Sequence, residues 1–246
     1  MRYFGKSCGD ERLQLPEDVC IHCREVVNPE EITREHVPSK CLLRKPYPEN
    51  LIVVKVCRKC NASFSRDEEY LSALLAAVLS GSTDPAKQKT PRDSRRFTEQ
   101  PALRARIDKS KIATRTLFGE TETVFMPELE RVENVVLKNA RCHALYELDC
   151  PVSIFSEPDY IRCVPLRSFS REQRARFEED ISEWAEVGTR MFMRQCYSFD
   201  PSQSDMLGPW VVVQEDVYRF LASDNGDGLL VRSVIGEYLA TEVFWS

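Results

Sequence analysis

The sequence Cys20-Ile21-His22-Cys23 is separated by 33 residues from a second pair, Cys57-Arg58-Lys59-Cys60. Four thiolates at this spacing are typical of a closed tetrahedral zinc site, which contributes folding free energy to a segment too small for a core of its own. Redox-active dithiols and chance spacing are the alternatives. His22 could replace a cysteine as a ligand, although an exposed spacer is its expected role. The sequence therefore predicts structural Zn²⁺ bound by Cys20, Cys23, Cys57 and Cys60.

The composition is that of a soluble globular protein, with 42% apolar and 30% charged residues among 246. No apolar run approaches the roughly 18 residues of a membrane span, and the polar N-terminus has no secretory signal, so we expect a cytoplasmic protein without a membrane partner. In a reducing compartment, closely spaced cysteines indicate metal or redox chemistry before disulfides. The other cysteines are expected to be buried as small hydrophobic residues: Cys8, Cys41, Cys142, Cys150, Cys163 and Cys196.

The net charge is −5, but the charged residues are distributed unevenly along the chain. Residues 87–115 contain ten Lys and Arg against three acidic residues, whereas residues 151–246 contain nine basic and sixteen acidic residues. The basic stretch could follow a phosphate backbone, although such a run is more often a solvated face or linker. The candidate nucleic-acid-binding residues are Arg92, Arg95, Arg96, Arg104 and Arg106.

The hydrophobic pattern predicts an α+β protein. We expect a zinc-stapled nuclease unit at 1–82, a basic linker at 83–120 and a mixed α+β C-terminal region at 121–246. Within these parts the pattern predicts strands at 51–56, 121–126, 210–213, 229–234 and 238–245, and helices at 67–80, 128–148 and 170–192, with a hairpin-like turn at 224–228.

Between the two cysteine pairs lies Glu35-His36, followed 14 residues later by Asn50 and another 11 residues later by Asn61. Hydrolysis of a phosphodiester needs a water activated near neutral pH, and histidine is the side chain whose ordinary pKa suits a general base there. Of the three histidines, His36 is the one with a carboxylate neighbour in sequence. The alternative interpretation is an exposed acid–histidine pair at a strand end.

At these residues, over about positions 18–72, the chain resembles the HNH family of endonucleases. The resemblance implies a ββα-metal finger in which Glu35 and Asn61 bind Mg²⁺ or Mn²⁺, His36 activates water, and Asn50 holds the loop and orients His36. It also implies products with 5′-phosphate and 3′-hydroxyl ends. Glu35 stands where Asp or His is more usual in the family. The last metal-ligand position of the family falls at Phe64 or Ser65, and neither side chain suits a metal. Asp67 or Glu68 could bind the metal in its place, or these acidic residues could simply stabilise a helix N-terminus.

These features together predict a metal-dependent HNH endonuclease acting on DNA, with RNA left open as a substrate. Small HNH proteins serve in restriction and phage defence, so the resemblance extends to such a role. We expect the acidic C-terminal region to bind a protein partner or a second copy, or to regulate the nuclease. The first rival is a zinc-knuckle module that binds nucleic acid or protein without cutting, and the second is a scaffold carrying a relic nuclease motif.

Overall fold

The computed structural model describes residues 19–115, 121–149, 152–179, 184–198, 200, 204–224, 226 and 228–246. The protein is mixed α+β. Its helices are α1 (Arg58–Ser80), α2 (Pro91–Glu99), α3 (Pro101–Lys109), α4 (Leu129–Glu147), α5 (Arg171–Glu179) and α6 (Arg190–Tyr197). Its strands are β1 (Ile32–Val37), β2 (Ile52–Cys57), β3 (Lys111–Arg115), β4 (Thr121–Phe125), β5 (Tyr160–Pro165), β6 (Met206–Leu207), β7 (Trp210–Gln214), β8 (Tyr218–Asp224), β9 (Leu229–Ile235) and β10 (Leu239–Trp245). Among the described residues, none of the helices has the length and apolarity to span a bilayer.

The chain divides into two compact units that do not follow chain order. One unit combines Met1–Phe64 with Val136–Ser246, and the other is Ser65–Val135. The predicted domain boundaries at 82 and 120 fall inside the second unit. The difference arises because the chain leaves the first unit within α1 and re-enters it within α4, which no local sequence signal marks.

In the first unit, β1 and β2 form an antiparallel hairpin, and β5 to β10 form a six-stranded antiparallel sheet in the order β5-β10-β9-β8-β7-β6. Buried Leu166, Phe177, Trp210, Leu221, Val234 and Ala240 form a core cluster of this unit. The turn between β8 and β9 depends on Gly228, whose φ is +156° and where a Cβ atom would lie 2.5 Å from the Phe244 ring. The β-branched runs at 51–56, 210–213 and 229–234 are confirmed as strands.

The loop between β1 and β2 is held by the C-terminal part of the same unit. The side-chain amide of Gln214 on β7 accepts from the backbone N–H of Arg44 at 2.8 Å and donates to the Arg44 carbonyl at 3.0 Å. Near the start of the loop, the Asn139 side chain accepts from the backbone N–H of Ser39 at 3.0 Å. The C-terminal region therefore supports the loop that carries Asn50.

The second unit folds the basic stretch into regular structure instead of an extended linker. Thr90 caps α2 by accepting from the Asp93 backbone N–H, and Phe97 and Ile107 are buried on α2 and α3. The strands β3 and β4 pair antiparallel. Residues 65–135 contain twelve basic and twelve acidic residues, so the unit as a whole is electrically neutral.

The charged helix predicted over 170–192 is two helices, α5 and α6. Gly188 adopts φ +102°, and the Thr189 hydroxyl accepts from the Phe192 backbone N–H. Thr189 therefore caps α6, which begins as a separate helix. Residues 180–183 lie outside the described part of the chain.

His143 on α4 is a core histidine of the first unit. Its ring stacks on Phe220 with centroids 3.7 Å apart, and its Nε2 lies 3.1 Å from the Tyr218 hydroxyl. Burial, reinforced by the positive charge of Arg194, lowers the pKa of His143 to about 3. The folded protein therefore holds this imidazole neutral.

We expect the free energy of unfolding to fall as pH drops from about 6.5, the ordinary histidine pKa, towards 3. In that pH range His143 binds a proton in the unfolded chain but stays neutral in the folded chain. Replacing His143 by Phe should reduce the slope of the unfolding free energy against pH by up to about 1.4 kcal/mol per pH unit. Denaturant titrations between pH 4 and 7 measure this slope, and identical slopes for both proteins would contradict the assignment.

Candidate functional site

The four predicted cysteine ligands come together at one end of the β1–β2 hairpin. Their Sγ atoms all lie within 4.8 Å of one another. The Cys23 and Cys57 sulfurs are 3.9 Å apart, close to the roughly 3.8 Å that two sulfurs show when each lies about 2.3 Å from a tetrahedral Zn²⁺. The cluster could hold one zinc ion.

Backbone groups support the thiolates. The Cys57 N–H donates to Cys20 Sγ and the Cys60 N–H donates to Cys57 Sγ, both at 3.3 Å. Burial opposes ionisation of the Cys20, Cys23 and Cys60 thiols. The donors around Cys20 outweigh this effect and bring its pKa below the ordinary value, whereas burial raises the pKa of the Cys23 and Cys60 thiols. Arg24, at φ +61°, closes the first knuckle through its N–H bond to the Cys20 carbonyl. These contacts are the outer support that zinc thiolate sites commonly have.

We expect purified protein to contain about one Zn²⁺ per chain, and Cys60→Ser to lose it and to destabilise the first unit. Structural zinc contributes on the order of 10 kcal/mol of apparent binding free energy in small sites. Elemental analysis and thermal unfolding measure both effects. Cys196→Ser, at an exposed cysteine on α6, is the matched control and should retain zinc. A zinc-free wild type of full stability would refute the site.

The remaining cysteines and His22 differ partly from expectation. Cys142 is buried, Cys41 and Cys163 are half-buried, and Cys196 is exposed, whereas Cys8 and Cys150 lie outside the described residues. His22 is not an exposed spacer: it packs edge-on against Phe64, and burial lowers the pKa of its imidazole to about 3. Its position inside a tight knuckle gave no signal of this packing.

The register of the hairpin divides the candidate catalytic residues between two faces. Glu35 pairs with Val54 and His36 with Val53. Side chains alternate along a strand, and directly paired residues share a face. We call the side carrying Thr33, Glu35, Val37, Ile52, Val54 and Val56 the inner face, and the side carrying Arg34, His36, Val53 and Lys55 the outer face.

On the inner face, Glu35 forms a buried ion pair. Its carboxylate lies 2.7 Å from the Lys138 Nζ of α4, and the two side chains are 7% and 1% exposed. Lys138 also donates to the Ser39 hydroxyl at 3.1 Å and lies 5.3 Å from the centre of the Phe64 ring. Glu35, expected to bind a divalent cation, is paired instead with the ammonium group of Lys138.

Asn61 and Asn50 both lie next to residues of the inner face. Asn61, on the first turn of α1, donates to the Thr33 hydroxyl at 3.0 Å, and Thr33 donates to the Val56 carbonyl. Asn50 lines a cavity of about 30 Å³ together with Val37 and Ile52. This cavity can hold about one water molecule. Asn61 and Glu35 therefore share a face, while His36 belongs to the other.

The additional acidic residues lie in the second unit. Glu68 is half-buried on α1. The Asp67 carboxylate accepts from Asn134 at 2.6 Å and pairs with Arg131. These contacts give Asp67 a structural role within that unit.

On the outer face, His36 is half-buried. Burial lowers the pKa of its imidazole, and the positive charges of Lys40 and Arg34 lower it further. The ring is consequently neutral at pH 7, in the protonation state that a general base requires.

Of the five arginines predicted to bind nucleic acid, two are exposed and three are half-buried, and three of the five pair with carboxylates. Arg96 bonds the Asp93 carboxylate at 3.1 Å, and Arg92 lies 3.5 Å from the same group. Arg106 forms a two-pronged ion pair with Glu128. Arg95 is exposed and Arg104 half-buried. Pairing with carboxylates weakens the positive charge that the sequence indicated for this stretch.

Comparison of the chain with protein-family models, curated proteins and solved structures finds no match. The function is therefore argued from the residues of the first unit.

The buried Glu35–Lys138 ion pair predicts how substitutions at these two residues change the free energy of unfolding. Removing one partner leaves an uncompensated buried charge, so Glu35→Gln and Lys138→Met should each lower the unfolding free energy by about 3–5 kcal/mol. The double variant should lose much less than the sum of the two, because it buries no charge at this position. Denaturant unfolding measures the coupling, with exposed Glu49→Gln as the control. Strict additivity would show that the two groups do not interact.

Proposed function

We propose that the chain is an HNH-type endonuclease that hydrolyses phosphodiester bonds in DNA, with His36 as the general base. The observation that supports this proposal is the setting of His36. It lies on the outer face of a hairpin anchored by the four-cysteine cluster, beside Arg34 and Lys40, and its lowered pKa keeps the ring neutral at pH 7. A neutral imidazole among cations suits a reaction on a phosphate.

In the proposed reaction, His36 accepts a proton from water while the water oxygen attacks phosphorus. The bond from phosphorus to the 3′ oxygen breaks, and the leaving oxygen takes a proton from solvent. His36 then returns its proton to solvent, leaving 5′-phosphate and 3′-hydroxyl ends. A general base of this kind contributes about 10²–10⁴-fold to the rate.

Glu35 does not enter this reaction as a metal ligand. A carboxylate buried against Lys138 does not fit a divalent cation, which needs open oxygen ligands and room for water. In the proposal Glu35 and Lys138 fix the hairpin against α4, and Asn61 fixes the start of α1 to β1 through Thr33. The proposed reaction therefore does not use the Mg²⁺ or Mn²⁺ site predicted at Glu35 and Asn61.

A second candidate function is binding of nucleic acid without cleavage. The observation that favours it is the separation of His36 from Glu35 and Asn61 onto opposite faces of the hairpin. A role in restriction or phage defence, and binding of a protein partner or second copy by the C-terminal region, stay predictions of the sequence.

Nicking of supercoiled plasmid tests the two candidates. Wild type should nick the plasmid, and His36→Asn should slow nicking by about 10²–10⁴-fold while keeping its zinc and its DNA affinity. The rate should fall in acid, at a pH lower than the ordinary histidine pKa of about 6.5, because the pKa of His36 is lowered and protonated His36 cannot accept a proton. Arg171→Gln, at an exposed residue of α5, is the control. DNA binding by a wild type that never nicks would favour the binding module, and equal nicking by His36→Asn would reject His36 as the base.

A further inference from the structure

We infer that the outer face of the β1–β2 hairpin binds the phosphates of a nucleic acid backbone through Arg34, Lys40 and Lys55, without a divalent cation. The inference deepens the proposed function and rests on it for the class of ligand, in both its cutting and its binding form.

The first argument is the separation of charge by strand register. Glu35 is the one acidic residue within β1 and β2, and it points to the inner face, where Lys138 neutralises it. The charged residues that the two strands direct to the outer face are Arg34 and Lys55. The two strands therefore contribute only positive charge to the outer face, with His36 next to Arg34.

The second argument is energetic. Arg34 and Lys55 are direct cross-strand partners. Like charges directly opposite each other on paired strands repel and destabilise a hairpin. The register places the two cations side by side on one face, where a single anionic backbone can contact both. An anionic backbone relieves this repulsion.

The third argument is that positive charge continues into the loop after β1. Lys40 acts electrostatically on His36. Its ammonium lies 5.4 Å from the centre of the Tyr47 ring, and that of Lys45 lies 5.9 Å from the same ring. The tyrosine orders two flexible lysines on one side of the loop. Cations at successive positions along strand and loop match the repeating charge of a phosphate backbone better than they match a single carboxylate.

This face also supplies the charge that a catalytic cation would otherwise provide. A reacting phosphodiester gains negative charge, which needs positive groups near the base. Arg34 and Lys40 are the cations that act on His36. Lys138 cannot serve this purpose, since its side chain is 1% exposed and paired with Glu35.

Fluorescence anisotropy with a labelled 20-base-pair duplex tests the inference. The measurements use His36→Asn as the background to prevent cleavage, in buffer freed of Mg²⁺ and Mn²⁺, with zinc content checked for each protein. Arg34→Gln/Lys40→Gln should flatten the plot of log K against log salt by about 0.9 for each phosphate that the variant no longer neutralises. Arg34→Lys/Lys40→Arg should retain the slope. The matched control, Arg171→Gln/Arg174→Gln at two exposed arginines of α5, should leave the slope unchanged.

Three results would overturn the inference: duplex binding that requires Mg²⁺ or Mn²⁺, an unchanged slope in Arg34→Gln/Lys40→Gln, or absence of duplex binding. A failure of the proposed nuclease gives a different result. In that case the protein does not nick plasmid, but it still binds the duplex without metal through Arg34 and Lys40. Conversely, plasmid nicking by wild type combined with an unchanged salt slope in Arg34→Gln/Lys40→Gln would preserve the nuclease and reject the binding face.

Discussion

The alternation of side chains along β1 is the constraint on which the candidate site depends. Glu35 and His36 are adjacent in sequence, yet an extended strand directs them to opposite faces. One face packs inside the unit and the other meets solvent. The same backbone geometry therefore makes Glu35 a buried structural charge and leaves His36 accessible for chemistry.

The Glu35–Lys138 ion pair joins two segments that are about a hundred residues apart in sequence. Burying two charges opposes folding unless their attraction and hydrogen bonds compensate, and here the Ser39 hydroxyl provides a further partner for Lys138. Such a pair contributes specificity: β1 and α4 can associate in the register that brings the two charges together. The proposed metal-free reaction follows from this pairing, because the carboxylate that would hold a cation is already occupied.

The four-cysteine cluster acts at the other end of the hairpin. It ties the first knuckle to the end of β2 and the first turn of α1, at a place where the surrounding segment is too short to bury a large core. With the four cysteines gathered at one end of the hairpin and its loop held by Gln214 at the other, Arg34, His36 and Lys40 extend from a supported framework. Rigid support of this kind is what a base and its neighbouring cations need.

The sequence by itself determined the features whose cause is local. Cys-x-x-Cys spacing identified the four clustered cysteines, β-branched runs identified β2, β7 and β9, and an apolar repeat identified α4. Tertiary structure decided the rest. The partner of Glu35 is Lys138, which no spacing rule connects to it, and the carboxylates that pair with Arg96 and Arg106 turn an apparent basic run into part of a neutral unit. The reason is physical: spacing reports which side chains share a short segment, whereas charge pairing depends on which segments the packed core brings together.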